Sequence, residues 1–173
     1  MGEIHYPKRK PVRLKGHDYS TPGYYFITLC TLNKEKLLCE ITTHPVGTVA
    51  LDGPLVHLTQ YGKIVQKHME GLRDYYPDLK VHHYVIMPNH IHYIIEVMDC
   101  LDGPSRATGP TMGKVGRFSG TLKRFCNREI GHNIWQSRSH DRIIRNEAAY
   151  RTYVEYIKTN PMRWTEDRLY IPE

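Results

Sequence analysis

Cysteine is scarce in this chain, and the few cysteines do not form pairs. The 173 residues include four, Cys30, Cys39, Cys100 and Cys126, and no Cys-x-x-Cys motif. A zinc ribbon requires such pairs, and a small disulfide-stabilised fold requires a denser cysteine spacing. The sequence therefore argues against both and is typical of a reduced, cytoplasmic protein.

Long apolar runs are also lacking. No run approaches the roughly 20 apolar residues that span a bilayer as a helix, and the basic N-terminus is not followed by the apolar core of a secretory signal. A chain of 173 residues has the size of one domain. We expect a single domain over 1–173, with a basic N-terminal arm over 1–20 and a flexible loop at about 99–114.

The charge of the chain, +6 at pH 7, is unevenly distributed. Basic residues cluster in two segments: Lys8, Arg9, Lys10, Arg13 and Lys15 in the arm, then Arg106, Lys114, Arg117, Lys123, Arg124 and Arg128, with no acid before Glu129. Such clusters favour a polyanion, because cations that neutralise phosphates release condensed counterions. Many basic proteins owe their charge to solubility alone, but the clustering favours a nucleic acid.

The distribution of apolar residues predicts the elements of the fold. Pro88-Asn89 separates two apolar runs, which predicts a tight antiparallel hairpin. Asn146 is a good N-cap for the last helix. In order we expect a strand over 24–32, a possible short strand at 47–51, a helix at about 55–75, the hairpin over 81–87 and 90–98, a basic helix at about 115–130, a short strand or turn at 134–136 leading to DRIIRN, and a helix at about 147–159.

This order fits an α+β fold of the ferredoxin-like (split βαβ) type. A four-stranded antiparallel sheet would be covered by helices. RNA-recognition motifs share the fold, so the fold alone does not choose a function. They also use exposed aromatic residues on the central strands, whereas Tyr93, the one aromatic residue of the second hairpin strand, is expected to point away from its histidines.

Two histidines on this strand are candidate metal ligands. Side chains alternate along a strand, so His90 and His92 share one face, and two imidazoles so placed can bind one divalent cation. The motif is weak alone, since the chain has 11 histidines. His82 and His83 form a competing cluster, but adjacent strand residues face opposite ways, so they are not expected to chelate together.

A tyrosine on the last helix is the second candidate. The core stripe is Tyr150, Tyr153, Val154 and Ile157. Tyr156 lies about 110° from the centre of this stripe, and Asn160, four residues on, lies on its side of the helix. On spacing alone, a half-buried tyrosine with its hydroxyl in water is the better explanation.

These segments together resemble a known family. YVIMPNHIHYIIEV (84–97) is similar to the histidine–hydrophobe–histidine signature of single-tyrosine transposases, and the Met-Pro-Asn-His turn is similar to that of their REP-associated branch. IWQSRSHDRIIRNEAAYRTYVEYIKTNP (134–161) resembles that family's Trp-Gln…Asp-x-Ile-Ile-Arg…Tyr-Ile-x-x-Asn-Pro block. The basic segment and first strand (8–31) resemble its entry, so the match spans most of the chain.

The resemblance implies a role for each matching residue. His90 and His92 would bind a divalent metal, Mg²⁺ or Mn²⁺, Asn160 would be the third ligand, and Tyr156 the nucleophile. Arg142 departs from the pattern, since relatives often have His there. The substrate would be single-stranded DNA with a hairpin. The protein would be a cytoplasmic, nucleoid-associated protein of the bacterial type. The REP-associated branch favours a monomer over a dimer in which two chains exchange the helix that carries the tyrosine. The DNA contacts would be Lys8, Arg9, Lys10, Arg13 and Lys15 of the arm. For Lys123, Arg124 and Arg128 the sequence leaves two alternatives open, contact with DNA phosphates or a solvated helix face.

The implied reaction is consistent with these residues. A phenol of pKa near 10 is a poor nucleophile at neutral pH, and one divalent cation would polarise the phosphate. Two neutral imidazoles favour Mn²⁺ over Mg²⁺ in affinity. Attack by Tyr156 would leave a 5′-phosphotyrosine and a free 3′-hydroxyl, so rejoining needs no ATP, and the chain has no phosphate-loop motif.

Two other functions remain open. The first is a non-catalytic protein of the same fold that binds nucleic-acid hairpins. The second is a zinc-dependent hydrolase using His90 and His92, which would need a third His or carboxylate and a general base; the sequence spacing shows no such set. Two further residues have alternative interpretations. Arg145 could bind a phosphate or cap the last helix. Trp135 could stack on a base, but next to Ile134 it is more often a core residue.

Overall fold

The computed structural model describes residues 17–42, 54–99 and 113–172. Most of the expected arm over 1–20, the possible strand at 47–51 and nearly all of the expected loop at about 99–114 lie outside these residues. No helix in the described ranges is long and apolar enough to cross a bilayer. The elements are β1 (Gly23–Cys30), β2 (Cys39–Thr42), β3 (Leu55–Leu58), α1 (Gln60–Tyr75), β4 (Leu79–Met87), β5 (His90–Val97), α2 (Lys114–Ile130), β6 (His140–Ile144) and α3 (Glu147–Thr159), with short 3₁₀ turns at Leu32–Lys34 and Pro161–Glu166.

Four strands form one antiparallel sheet in the order β4-β5-β1-β6. This is the order of a ferredoxin-like fold, so the predicted fold class is confirmed. β5 and β1 are the central strands, while β4 and β6 are the edges. A functional group on β5 is therefore held from both sides by strand pairing.

The two faces of the sheet carry different helices. On one face, apolar residues of β1 and β5 such as Ile27 and Ile91 join a core with α1 and α2, to which Phe118 and Leu122 belong. On the other face, Ile157 of α3 packs in a smaller cluster that also includes Phe26, Ile94 and Ile144, with Tyr150, Tyr153 and Val154 against it. The predicted stripe of α3 is thus its buried face.

The turn between β4 and β5 is buried and anchored. Asn89 is fully buried, and its carbonyl accepts hydrogen bonds from the backbone N–H (2.9 Å) and hydroxyl (3.0 Å) of Thr31. The N–H of Leu38 donates to the carbonyl of Pro88 at 3.0 Å. These bonds fix the start of β5, where His90 lies.

The predicted start of the first helix is wrong. Residues Leu55–Leu58 form β3 and pair with β2 in a separate two-stranded sheet, and α1 begins at Gln60. Thr59 caps it, because its side chain accepts a hydrogen bond from the N–H of Gly62 at 3.1 Å. The spacing of the apolar residues alone did not distinguish a strand from a helix at Leu55–Leu58.

The expectation that His82 and His83 face opposite ways is also wrong. The pairing of β4 with β5 shifts between Val81 and His83, which is a β-bulge, and a bulge breaks the alternation of side chains. Both imidazole rings lie near the ring of Tyr150, at 6.1 and 6.3 Å between centroids.

Candidate active site

His90 and His92 lie side by side on the face of the sheet that α3 covers. Their ring centroids are 4.4 Å apart, and both side chains are buried. The ring of His92 also stacks on Phe26, 5.0 Å away on the neighbouring strand. Strand alternation places the pair together as the sequence predicted.

Each imidazole is held through its Nδ1 atom. His90 Nδ1 lies 2.8 Å from Oδ1 of Asn89, whose amide nitrogen is oriented by donating to the carbonyl of Leu169 at 2.8 Å. His92 Nδ1 lies 2.8 Å from the hydroxyl of Thr28, its partner on β1. An amide oxygen only accepts, so Nδ1 of His90 carries the proton and Nε2 keeps its lone pair.

Burial keeps both imidazoles neutral. It lowers the pKa of His90 to about 4 and that of His92 well below its usual value. The neutral form is the one that binds metals. Nε2 of His90 is buried and has no hydrogen-bond partner among the described residues, as expected for an atom that awaits a ligand.

Tyr156 brings its hydroxyl to this pair from α3. The side chain is 38% exposed. Its hydroxyl lies 3.4 Å from His92 Nε2 and donates a hydrogen bond to Asp167 Oδ2 at 2.8 Å. Burial and, next, the bond to Asp167 raise the pKa of Tyr156 to about 12, so the phenol is protonated at neutral pH.

Asn160 lies at the end of α3, beside the same carboxylate. The side chain is buried, and its Nδ2 donates to Asp167 Oδ2 at 3.0 Å. Its Oδ1 is buried with no hydrogen-bond partner in the described part of the chain. This oxygen is therefore available to a cation, as the resemblance implies.

Asp167 is the group that the sequence analysis missed. Its carboxylate and the histidines His90 and His92 offer ligand atoms that all lie within 4.8 Å of one another. Burial pushes the pKa of this carboxyl up, but hydrogen bonds from the Asn160 amide, the Leu169 N–H and the Tyr156 hydroxyl hold it below its usual value. The sequence spacing showed no set of a third ligand with a general base, and the structure supplies the third ligand as the carboxylate of Asp167.

A weak sequence signal pointed to this acid. The helix ends at Asn160-Pro161, so the following residues must leave the helix and can fold back over it. Two acids stand there in succession, however, and nothing in the sequence distinguishes the exposed Glu166 from Asp167. Only the packing of the turn at Pro161–Glu166 makes the choice.

The donor set fits a divalent cation. His90 Nε2 and Asn160 Oδ1 are both buried and have no hydrogen-bond partner among the described residues. The carboxylate of Asp167 lies beside them. Imidazole with carboxylate and amide oxygen is a set that suits Mn²⁺ and also Mg²⁺, whereas zinc sites more often use thiolates or further histidines.

The predicted DNA contacts do not all lie near this site. The five basic residues of the arm fall outside the described residues. Arg124 and Arg128 of helix α2 are exposed. Because α2 packs on the opposite face of the sheet, the sheet separates both arginines from the histidines. Lys123 donates to the carbonyl of Gln136 at 2.7 Å and so also holds a loop in place. Trp135 is buried in the core.

A cavity of about 290 Å³ opens beside the tyrosine. Its lining includes Tyr156, Asn160 and the acids Glu166 and Asp167, together with two exposed arginines, Arg163 and Arg168. Two guanidinium groups beside a hydroxyl and candidate metal ligands are groups that can bind a phosphate.

Comparison with known proteins finds a solved structure of the same fold and one relative of similar sequence. No model of a known protein family matches the chain. An uncharacterized protein of Haemophilus influenzae (strain Rd) is 33% identical over 179 residues, covering 94% of this chain and 93% of that protein. The solved structure of a REP-associated tyrosine transposase bound to a REP hairpin aligns with a TM-score of 0.59 and 20% identity, covering 88% of this chain and 74% of that one.

A structure from Deinococcus radiodurans R1 aligns at a TM-score of only 0.40 and 14% identity, covering 85% of this chain and 97% of that one, and adds no weight. The resemblance noted in the sequence is confirmed at the level of the fold. The chain belongs to the same family as the Haemophilus influenzae protein and has the fold of the REP-associated tyrosine transposase.

Proposed function

We propose that the protein is a metal-dependent, transposase-like enzyme that cuts and rejoins single-stranded DNA at hairpins through a 5′-phosphotyrosine. One observation carries the proposal: the Tyr156 hydroxyl lies 3.4 Å from His92 Nε2 and 2.8 Å from Asp167 Oδ2, in a cluster whose three ligand groups can hold one cation. A candidate nucleophile, candidate metal ligands and a cavity of about 290 Å³ thus adjoin one another.

The residues of the cluster divide the chemistry between them. His90 and His92 through Nε2, Asn160 through Oδ1 and Asp167 through its carboxylate would hold Mg²⁺ or Mn²⁺. When bound, the cation would supply Lewis-acid polarisation of the phosphate. Asn89 and Thr28 keep the imidazoles in the orientation and tautomer that this requires.

Tyr156 performs the strand exchange. Its Oη forms a bond to phosphorus while the bond from phosphorus to the 3′-oxygen breaks, which leaves a 5′-phosphotyrosine and a 3′-hydroxyl. The phenol proton lies in the hydrogen bond to Asp167 Oδ2 and passes along it to the carboxylate and then to water, and the leaving oxygen takes a proton from water in turn. Rejoining is the reverse reaction with a second 3′-hydroxyl, so no energy source is consumed.

A covalent-capture assay tests this proposal. The protein is incubated with labelled hairpin oligonucleotides from its own genomic flanks, with Mn²⁺ or with EDTA, and resolved on a denaturing gel. We expect a Mn²⁺-dependent labelled protein band that is absent for Tyr156→Phe. Tyr75→Phe is the matched control, because Tyr75 is 62% exposed on α1, a helix that packs on the other face of the sheet. A band that persists in Tyr156→Phe would show that another residue is the nucleophile.

A second candidate function is a non-catalytic protein that binds nucleic-acid hairpins. The observation that favours it is the pKa of Tyr156, which burial and the bond to Asp167 raise to about 12 and which makes the phenol a weak nucleophile. This candidate gains support if hairpins bind tightly but several flanking sequences give no covalent band.

The proposal extends to the whole chain of 173 residues as one transposase-like domain that acts as a cytoplasmic monomer. The supporting observation is that Tyr156 reaches His92 of the same chain, so the site needs no second copy. Lys8, Arg9, Lys10, Arg13 and Lys15, with Lys123, Arg124 and Arg128, remain the proposed DNA contacts.

A further inference from the structure

Helix α3 carries Tyr156, but few buried side chains hold it on the sheet. Ile157 is its one buried residue, and it packs in the smaller of the two apolar clusters. Apolar attraction is not directional, whereas a hydrogen bond has a preferred direction. The rotation of α3 about its own axis, which sets where the Tyr156 hydroxyl points, therefore depends on polar contacts as well.

Such a contact lies at the N-terminal half of α3. Tyr150 is seven residues before Ile157 and so lies on the same face, about two turns away. Its hydroxyl is 3.3 Å from Nδ1 of His82 on β4, and Nε2 of that ring is 2.7 Å from Oε2 of Glu96 on β5. A carboxylate only accepts, so Nε2 of His82 carries a proton, and Nδ1 of the neutral ring accepts from the hydroxyl. The helix is thus bonded through one imidazole to a strand of the sheet.

This contact is shielded from water. The side chains of His82 and Glu96 are only 18% and 25% exposed. Tyr24, the partner of Glu96 across the strands, places its ring edge-on to those of His82 and Tyr150, with centroids 5.3 and 5.1 Å away. Hydrogen bonds are stronger where water is excluded, so the contact favours one orientation of the helix.

The central strand β5 is connected to α3 at both ends of the helix. Near the C-terminal end, His92 Nε2 lies 3.4 Å from the Tyr156 hydroxyl. Glu96 is four residues further along β5, on the same face by alternation, and reaches Tyr150 through His82. Since β5 is paired on both sides, it is a fixed reference for the position of the helix.

We infer that this chain of hydrogen bonds positions the Tyr156 hydroxyl beside the candidate metal ligands. Tyr150, His82 and Glu96 are then positioning residues, and none of them touches the substrate. A rotation of α3 by about 10° moves an atom at the outer radius of a helix, roughly 6 Å from its axis, by about 1 Å. A displacement of about 1 Å can slow a reaction by about 100-fold. The inference rests on the proposed function, because it takes Tyr156 as the nucleophile.

Three variants separate the two hydrogen bonds of His82. Tyr150→Phe removes the hydroxyl and keeps the ring. In His82→Gln the amide takes the place of Nε2, so the bond to Glu96 remains and the bond to Tyr150 is lost. In His82→Asn the amide takes the place of Nδ1 and still offers an acceptor to Tyr150. Tyr153→Phe is the matched control on the same helix, because the Tyr153 hydroxyl has no hydrogen-bond partner among the described residues and its ring packs on Phe26.

The first measurement needs neither metal nor DNA. The rings of Tyr156 and His92 have centroids 5.2 Å apart, so their protons should give nuclear Overhauser contacts. We expect these contacts to weaken in Tyr150→Phe and His82→Gln, and the backbone amides of α3 to exchange faster with solvent, while β5 keeps its protection. His82→Asn and Tyr153→Phe should behave as the wild type does.

Three results of this measurement would overturn the inference. The first is unchanged Overhauser contacts in both Tyr150→Phe and His82→Gln. The second is faster exchange throughout the fold, β5 included, which would show a general loss of stability. The third is an equal effect of His82→Gln and His82→Asn, since the bond to Tyr150 would then not be the cause.

The covalent-capture assay measures the consequence for the reaction. We expect Tyr150→Phe and His82→Gln to slow the formation of the labelled band in a single turnover by up to about 100-fold, with hairpin affinity unchanged. An unchanged rate, or a loss of hairpin affinity in place of rate, would also overturn the inference. If the Overhauser contacts weaken as expected but the wild-type protein forms no covalent band, the positioning of Tyr156 stands and the strand-transfer function does not.

Discussion

The Tyr156 hydroxyl donates a hydrogen bond to Oδ2 of Asp167 at 2.8 Å, and this joins the helix α3 to the turn that follows it. The same oxygen accepts from the Asn160 amide at 3.0 Å. One carboxylate therefore orients the candidate nucleophile and one candidate ligand. It also disfavours the phenolate, because a negative charge beside the hydroxyl raises its pKa.

Replacing this carboxylate by an amide should make Tyr156 more acidic. Burial, the larger cause, remains in Asp167→Asn, but the charged hydrogen-bond acceptor is removed. We expect the midpoint of Tyr156 titration to fall from about 12 toward the ordinary tyrosine value near 10. Carbon-13 NMR of labelled tyrosines, with Tyr156→Phe to assign the resonance, measures it. An unchanged midpoint would show that burial alone sets the pKa.

Loss of a ligand or of its support should weaken metal binding in a graded way. We expect Thr28→Ala to reduce Mn²⁺ affinity by roughly 10–100-fold, as for other groups that orient a ligating histidine, and His90→Ala to reduce it further. Isothermal titration calorimetry measures the affinities, and circular dichroism confirms that the variants are folded.

The matched control for these variants is His57→Ala. His57 is an exposed histidine on β3, outside the group that can hold a cation. Equal Mn²⁺ affinity in His90→Ala and His57→Ala would place the metal elsewhere.

Mixing two inactive variants should not restore activity. If one chain completes the site, as the 3.4 Å approach of Tyr156 to His92 indicates, His90→Ala and Tyr156→Phe cannot complement each other. We expect no covalent band from the mixture in the capture assay. A band would require a dimer in which the tyrosine of one chain serves the histidines of another, and light scattering would then detect that dimer.

The corrected start of α1 has a measurable consequence. Thr59→Ala removes the side chain that caps the helix and should lower the free energy of unfolding by about 1 kcal/mol. Urea denaturation measures the change against Thr165→Ala, an exposed threonine in the last turn. Equal stabilities of the two variants would argue that the helix does not begin at Gln60.

Local patterns in the sequence were sufficient for much of the fold. The hairpin of β4 and β5 follows from the Pro88-Asn89 turn between two apolar runs. The shared face of His90 and His92 and the buried stripe of α3 follow from periodicities of two and 3.6 residues. The same reasoning placed Tyr156 outside the stripe. It failed at His82, where a bulge interrupts the period, and at Leu55–Leu58, where a short segment with three apolar residues fits a strand as well as a helix.

The sequence by itself thus determined the order of the helices and of the strands of the main sheet and the shared face of His90 and His92, and its resemblance to a family supplied the candidate nucleophile Tyr156. Tertiary structure alone decided which groups complete the cluster. Thr28 lies 64 residues from His92 along the chain, and Asp167 reaches the histidines only because the chain turns back after Asn160-Pro161. Such contacts depend on how faces pack against each other, and no local period records them.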